Sequence, residues 1–238
     1  MTKQRWHFKD GLHLISIYEG INYFQKTVDE LKPRIKDQYY FFDERFFEYA
    51  ILEYFYFYHI NTVVIDKSVI DQVGGFDEDL MACEDTDFLL RVFIDFKVCF
   101  IRDYHFIYHH GDDNIYAFLD RKNINVDMLS TDRSTLDKMT KIELCKIKVR
   151  TQGRDMFNKF RRDNNHTEVV SLINESIADK LFTLGYLNRK LYKQDALGYY
   201  LRSIKLDFTW PKFVYLGRII FPGLFNKIKV KDPNLNLW

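Results

Sequence analysis

The sequence predicts an α/β unit over residues 1–130 followed by a basic α-helical extension over residues 131–238. Three observations lead to that fold class. Short β-branched and aromatic runs alternate with helical periodicity before residue 110, the mixture expected of a mixed sheet flanked by helices. Beyond residue 130 the apolar residues recur only at helical spacing. The charge also changes sign: residues 1–137 hold 15 Lys and Arg against 25 Asp and Glu, whereas residues 138–231 hold 20 against 8. A reversal of that size separates two units with different surfaces. The basic half reads either as a solvated helical face or as a contact for an anionic membrane or substrate.

Residues 1–40 show no run of strand, helix and strand that could serve as a βαβ unit. Phe46, Phe47, Ala50, Ile51, Tyr54 and Phe55 recur at helical spacing, which predicts a helix over Phe42–Phe57. Ile60–Ile65 is short and β-branched and predicts a strand. Lys67–Val73 follows as a short helix stopped by Gly74-Gly75, a pair that permits a sharp change of direction. A helix opens at Glu84-Asp85-Thr86-Asp87 and runs to about Asp95, its first-turn carboxylates favoured by the free N–H groups there. Val98–Ile101 and Phe106–His109 read as strands. In the extension, Thr135–Arg150 is amphipathic, Asn158–Asn165 reads as a linker, and Val169–Leu187 and Gln194–Leu206 form a helical hairpin turning near Lys190. Ala196, Tyr200 and Ser203 match the small–aromatic–small spacing of a tetratricopeptide second helix, as one unit without further repeats.

Composition sets outer limits. With 238 residues, 47% hydrophobic and 17% aromatic, the chain can bury a sizeable core and is not disordered as a whole. A net charge of +1 argues against a bulk nucleic-acid binder. Cys83, Cys99 and Cys145 have no CxxC spacing, which fits a reducing, cytoplasmic setting rather than a disulfide framework. The longest apolar stretches, Ile51–Ile60 and Phe213–Phe225, are interrupted by charged residues, glycine and proline, and the N-terminus lacks the apolar core of a secretory signal.

The chemistry is concentrated between Val73 and Arg91. Asp77, Glu78, Asp79, Glu84, Asp85 and Asp87 crowd into this span, an arrangement that needs a cation, a substrate or an arginine to offset it. Asp87 and Arg91 stand four apart and can pair on one helix face. Glu84 can serve the helix start. Asp85 is left with the least structural duty, and a carboxylate can accept a proton from an alcohol held against it.

Gly74-Gly75-Phe76-Asp77-Glu78, followed by Glu84-Asp85-Thr86-Asp87 and Arg91, resembles the acceptor-side motif of family 2 glycosyltransferases. The resemblance implies a GT-A fold and inverting transfer of a sugar from a nucleotide-sugar donor to a glycan hydroxyl. It implies Asp85 as the base, with Glu84, Asp87 and Arg91 supporting it and Gly74, Gly75, Phe76 and Asp77 on the substrate side. Asn61–Lys67 is similar to the strand that leads into the motif. Tyr108-His109-His110-Gly111 is similar to the region near the diphosphate and a divalent metal (Mn2+ or Mg2+), with His109 and His110 equally placed for it. Trp210-Pro211 and Phe221-Pro222 resemble tails found in bacterial members. Two family features are not found: the opening strand of the type Val-Ser-Ile-Ile-Ile-Pro-x-Tyr-Asn, and an Asp-x-Asp preceding the glycine turn. The chain is thus expected to be the acceptor-side part of a longer enzyme, or alternatively a non-catalytic interaction module with that fold.

Two lesser features complete the reading. Tyr54-Phe55-Tyr56-Phe57-Tyr58 suits a core or interface more than a sugar-stacking platform. Lys227, Lys229 and Lys231, close to Phe221, Leu224 and Phe225, suggest peripheral contact with an anionic membrane, such as the inner face of the cell membrane. His105, His109 and His110 have neither HxH nor HExxH spacing, so an independent zinc site is not expected.

Overall fold

The computed structural model describes residues 6–8, 11–13, 18–53, 60, 63–101, 108–109, 129–160 and 166–230. The chain divides into two compact units, Met1–Ala117 and Phe118–Trp238. Among the described residues helix dominates, and strand occurs in two small sheets of the first unit, so that unit mixes α with short β elements.

In the first unit, β1 (Trp6–Phe8) and β2 (Gly11–His13) form a hairpin, followed by α1 (Tyr18–Leu31) and a second hairpin, β3 (Arg34–Lys36) and β4 (Tyr39–Phe41). Asp37 turns that hairpin with φ 53°, a conformation Asp tolerates better than most residues. Next come α2 (Arg45–Glu53), α3 (Lys67–Val73), α4 (Glu84–Asp95), β5 (Cys99–Ile101) and β6 (Tyr108–His109). The first sheet has the order β2-β1-β6, with β6 parallel to β1 so that His109 stands opposite His7; the second, β3-β4-β5, is antiparallel. Residues 1–40 hold short strands on either side of α1 that the sequence did not reveal, but β2 and β3 belong to different sheets, so no βαβ unit is formed, as expected. These strands are only three residues long, below the length at which periodicity is visible.

The core of this unit is aromatic. Phe24 packs on Tyr40 and Phe100 with ring centroids 5.2 and 4.5 Å apart, and Phe46 meets Phe93 edge-on at 5.0 Å. These contacts join α1 to the second sheet and α2 to α4. Two expectations change here. The described part of Ile60–Ile65 is not a strand: Val63 donates to the carbonyl of Ile60 and Val64 is 99% exposed. β-branched residues favour a strand only where an edge is available to pair. The helix expected over Phe42–Phe57 occupies Arg45–Glu53, and residues 54–59, with the whole aromatic run, lie outside the described residues.

The second unit is helical: α5 (Arg133–Phe160), α6 (His166–Asn188), α7 (Lys193–Leu206), α8 (Trp210–Ile220) and α9 (Pro222–Phe225). Asp132 caps α5 by accepting from the Ser134 N–H and the Thr135 hydroxyl. The helix runs ten residues past its expected end because Val149, Gly153 and Phe157 extend its buried face at i, i+4 and i+8. The expected linker at 158–165 thus begins as helix, and 161–165 lie outside the described residues. In α7 the buried residues are Ala196, Tyr200 and Ser203, the small–aromatic–small stripe of the sequence reading. The Ser203 hydroxyl donates to the Ala178 carbonyl at 2.6 Å, and Tyr200 packs on Gly185 and Phe182, so α7 lies close against α6. Lys212, buried on α8, pairs with Asp207 at 2.6 Å and Asp179 at 2.8 Å, linking α8 to α6 and the end of α7. Among the described residues no helix is long and apolar enough to cross a membrane.

Candidate functional site

The glycine turn and the acidic helix start are built as one piece. Asp66 caps α3 by accepting from the Ser68 N–H at 2.8 Å and the Ser68 hydroxyl at 2.6 Å. At the other end Gly74 adopts φ 79°, open to glycine without strain, and its N–H closes the helix on the Ile70 carbonyl. The chain then reverses toward α4, where Arg91 receives it. The Arg91 guanidinium donates to the Val73 carbonyl, to the Gly75 carbonyl at 2.7 Å, and to Asp87 at 2.9–3.0 Å. Asp87 is 4% exposed, so this pair is largely desolvated and its geometry is tightly held. The expected Asp87–Arg91 pair is present, and it also fixes the turn.

Beyond the turn, Phe76 stays 52% exposed while its ring rests on buried Phe88, centroids 5.0 Å apart. Half-buried Asp77 accepts from the Asp79 N–H at 3.0 Å, and buried Leu80 anchors the acidic loop beneath. Cys83 enters α4 through a left-handed conformation (φ 63°), with its carbonyl taking the Asp87 N–H at 2.9 Å. Glu84 is exposed in the first turn of α4. Asp85 is half-buried, with Oδ1 accepting from the Thr86 N–H at 2.7 Å and the Thr86 hydroxyl at 3.3 Å. The site thus gathers Gly74, Gly75, Phe76, Asp77, Glu84, Asp85, Asp87 and Arg91 on one strapped segment. The backbone of His109 is placed on β6; His110 lies outside the described residues.

The implied divalent metal finds no ready donor set among the described carboxylates. Asp87 is neutralised by Arg91, while one oxygen each of Asp77 and Asp85 is engaged by a backbone N–H. Among the described residues no three His, Cys, Asp or Glu side chains group as a metal site would need.

A second concavity was not foreseen. A largely apolar groove of about 480 Å³ lies on the other face of α4, lined by Val69, Val92, Phe93, Val98 and Phe100 among others, with Asp66 and Lys97 as its charged members. None of the expected site residues lines it. Its walls come from segments distant in sequence, and their local patterns read only as core.

No family model, no curated protein and no solved structure matches this chain.

Proposed function

We propose that this chain acts as the acceptor-side part of an inverting glycosyltransferase of the family 2 type. The observation that carries the reading is the strap from Arg91 to Val73, Gly75 and Asp87, which holds the Gly74-Gly75 turn and the Asp85-bearing helix start in fixed relation. The Asp85 oxygen not engaged by Thr86 is the proton acceptor. It takes the proton of an acceptor hydroxyl while the hydroxyl oxygen forms its bond to the anomeric carbon of the donor sugar. The bond from that carbon to the nucleoside diphosphate breaks, the diphosphate leaves with the electron pair, and configuration inverts. Phe76, exposed beside the turn, offers a ring face for the C–H surface of a sugar. Because the described carboxylates do not fit the implied metal, no step is routed through it.

One observation favours the alternative, a non-catalytic interaction module: β2 and β3, which flank α1, belong to different sheets. They do not form the parallel βαβ crossover on which nucleotides are commonly seated. Calorimetric titration of the chain with UDP- and GDP-sugars in the presence of Mn2+ separates the two. Saturable heat with a donor supports the transferase; no heat with any donor leaves the module.

A further inference from the structure

From the surface of α8 and α9 we infer that the second unit docks peripherally on an anionic lipid bilayer. Five large apolar side chains there meet solvent: Phe208 (63% exposed), Trp210 (55%), Ile220 (45%), Phe221 (60%) and Leu224 (66%). They are connected rather than scattered. Phe208 and Trp210 both meet Phe213, with centroids 6.2 and 5.7 Å away, and Phe213 meets Phe225 at 5.8 Å. Phe225 is seated directly on Gly217, where a side chain would collide with its ring. Phe221 stands one helical turn before it, and its carbonyl accepts the Phe225 N–H. The ridge is therefore held by the fold, not by loose ends. Arg218 donates to the Ile228 carbonyl at 2.9 Å and draws the following residues back onto α8, which sets exposed Lys227 and Lys229 at the end of the ridge.

Charge selects the occupant. Residues 208–230 contain no Asp or Glu, but they carry Lys212, Arg218, Lys227 and Lys229. Lys212 is turned inward to Asp207 and Asp179, and half-buried Arg218 is laid over Tyr215 and tied to Ile228, which leaves Lys227 and Lys229 as the exposed cations beside the aromatic ridge. A symmetric contact with a second copy would bring these like charges together. Lipid headgroups of negative charge meet the lysines, while Trp and Phe side chains sit at the boundary between headgroup and acyl chain. α8 has 11 residues and is about 16 Å long, well short of a membrane span, so the helix lies along the surface.

The test is flotation of the full chain with vesicles of phosphatidylcholine alone and of phosphatidylcholine mixed with phosphatidylglycerol, across a range of sodium chloride. Binding to the mixed vesicles that weakens with salt is expected, with little binding to the neutral ones. Each surface lysine is worth roughly five-fold in partitioning, so K227E/K229E should lose about 25-fold or more. W210S/F221S should lose binding while circular dichroism and thermal midpoint stay unchanged, since both side chains are exposed. Equal binding to neutral vesicles, indifference to both double variants, or no vesicle binding together with a dimer that W210S/F221S dissolves would each overturn the inference. Donor titration is independent of this result, so this inference and the transferase reading stand or fall separately.

Discussion

The ring of Tyr200 fills the space that a side chain at Gly185 would need: a Cβ at position 185 would stand 2.8 Å from Cδ1 and 2.9 Å from Cε1 of the tyrosine. Tyr200 is 1% exposed and has no room to retreat. Gly185→Ala, a change that strengthens an isolated helix, should therefore weaken this protein. The expected cost is about 1–3 kcal/mol, typical of overpacking in a closed core. Urea denaturation of the second unit would reveal it, and an unchanged midpoint would show that α6 and α7 can separate freely.

Tyr200 also carries a pH signature. Its hydroxyl is buried without a hydrogen-bond partner among the described residues, and burial pushes its pKa well above the ordinary tyrosine value of 10. Above pH 10 the unfolded chain releases this proton while the folded one retains it, so the unfolded state binds fewer protons and stability falls as pH rises. The slope from this one group approaches about 1.4 kcal/mol per pH unit. Tyr200→Phe should leave stability at neutral pH equal or slightly higher and flatten the alkaline fall. A parallel loss in both proteins above pH 10 would assign the effect elsewhere.

Burial acts in the opposite sense on Lys180. Desolvation lowers its pKa below the ordinary lysine value of 10.5; Glu143 opposes the shift, and Lys146 and Arg150 reinforce it. Between the folded value and 10.5 the unfolded chain holds more protons, so this group makes stability rise with pH. Lys180→Met should remove that rise. Glu143, fully buried, keeps its contact to Lys146 at 2.7 Å. Thermal midpoints measured at several pH values above neutrality should show the wild type gaining on the variant as the pH increases. Midpoints that track each other would contradict the assignment.

Substitution of Arg91 should reach further than a surface ion pair. Arg91→Ala leaves Asp87 buried without its cation and frees two carbonyls of the glycine turn, a loss of about 2–4 kcal/mol. Arg91→Lys keeps the charge but not the planar fork, so it should recover only part. A full recovery by lysine in a denaturation series would mean that charge alone matters here.

Asp85→Asn preserves an oxygen for the Thr86 N–H, so the thermal midpoint should hold. In a transferase of the proposed type the same change removes the proton acceptor, and turnover should fall about 10²–10⁴-fold with donor binding retained. Near-normal transfer by the variant would remove Asp85 from that role.

Which features were legible in the sequence follows from where their determinants lie. The bounds of α3 and α4 were readable because Asp66, Gly74 and the Glu84–Asp87 start act within a few residues of the elements they delimit. The buried stripe Ala196, Tyr200 and Ser203 was readable for the same reason. The hairpin Arg34–Phe41 was not, since its strands are three residues long and its turn depends on a positive φ at Asp37 rather than on glycine. Val64 shows the converse, a β-branched residue in an expected strand that stands in solvent. At the candidate site, Asp87 was readable as the partner of Arg91 from its four-residue spacing. The carbonyls of Val73 and Gly75 lie 18 and 16 residues away, and backbone acceptors leave no mark in composition.

That strap also bears on motion. A turn tied to its neighbouring helix by one guanidinium cannot hinge alone; it opens only when the Arg91 end of α4 opens with it. The Gly74 amide, bonded to the Ile70 carbonyl, should therefore exchange with the helix rather than as part of a loop. An acceptor of the proposed kind arriving at Phe76 would meet a surface whose conformational entropy was already lost when the chain folded, so little further ordering would remain to be done at binding.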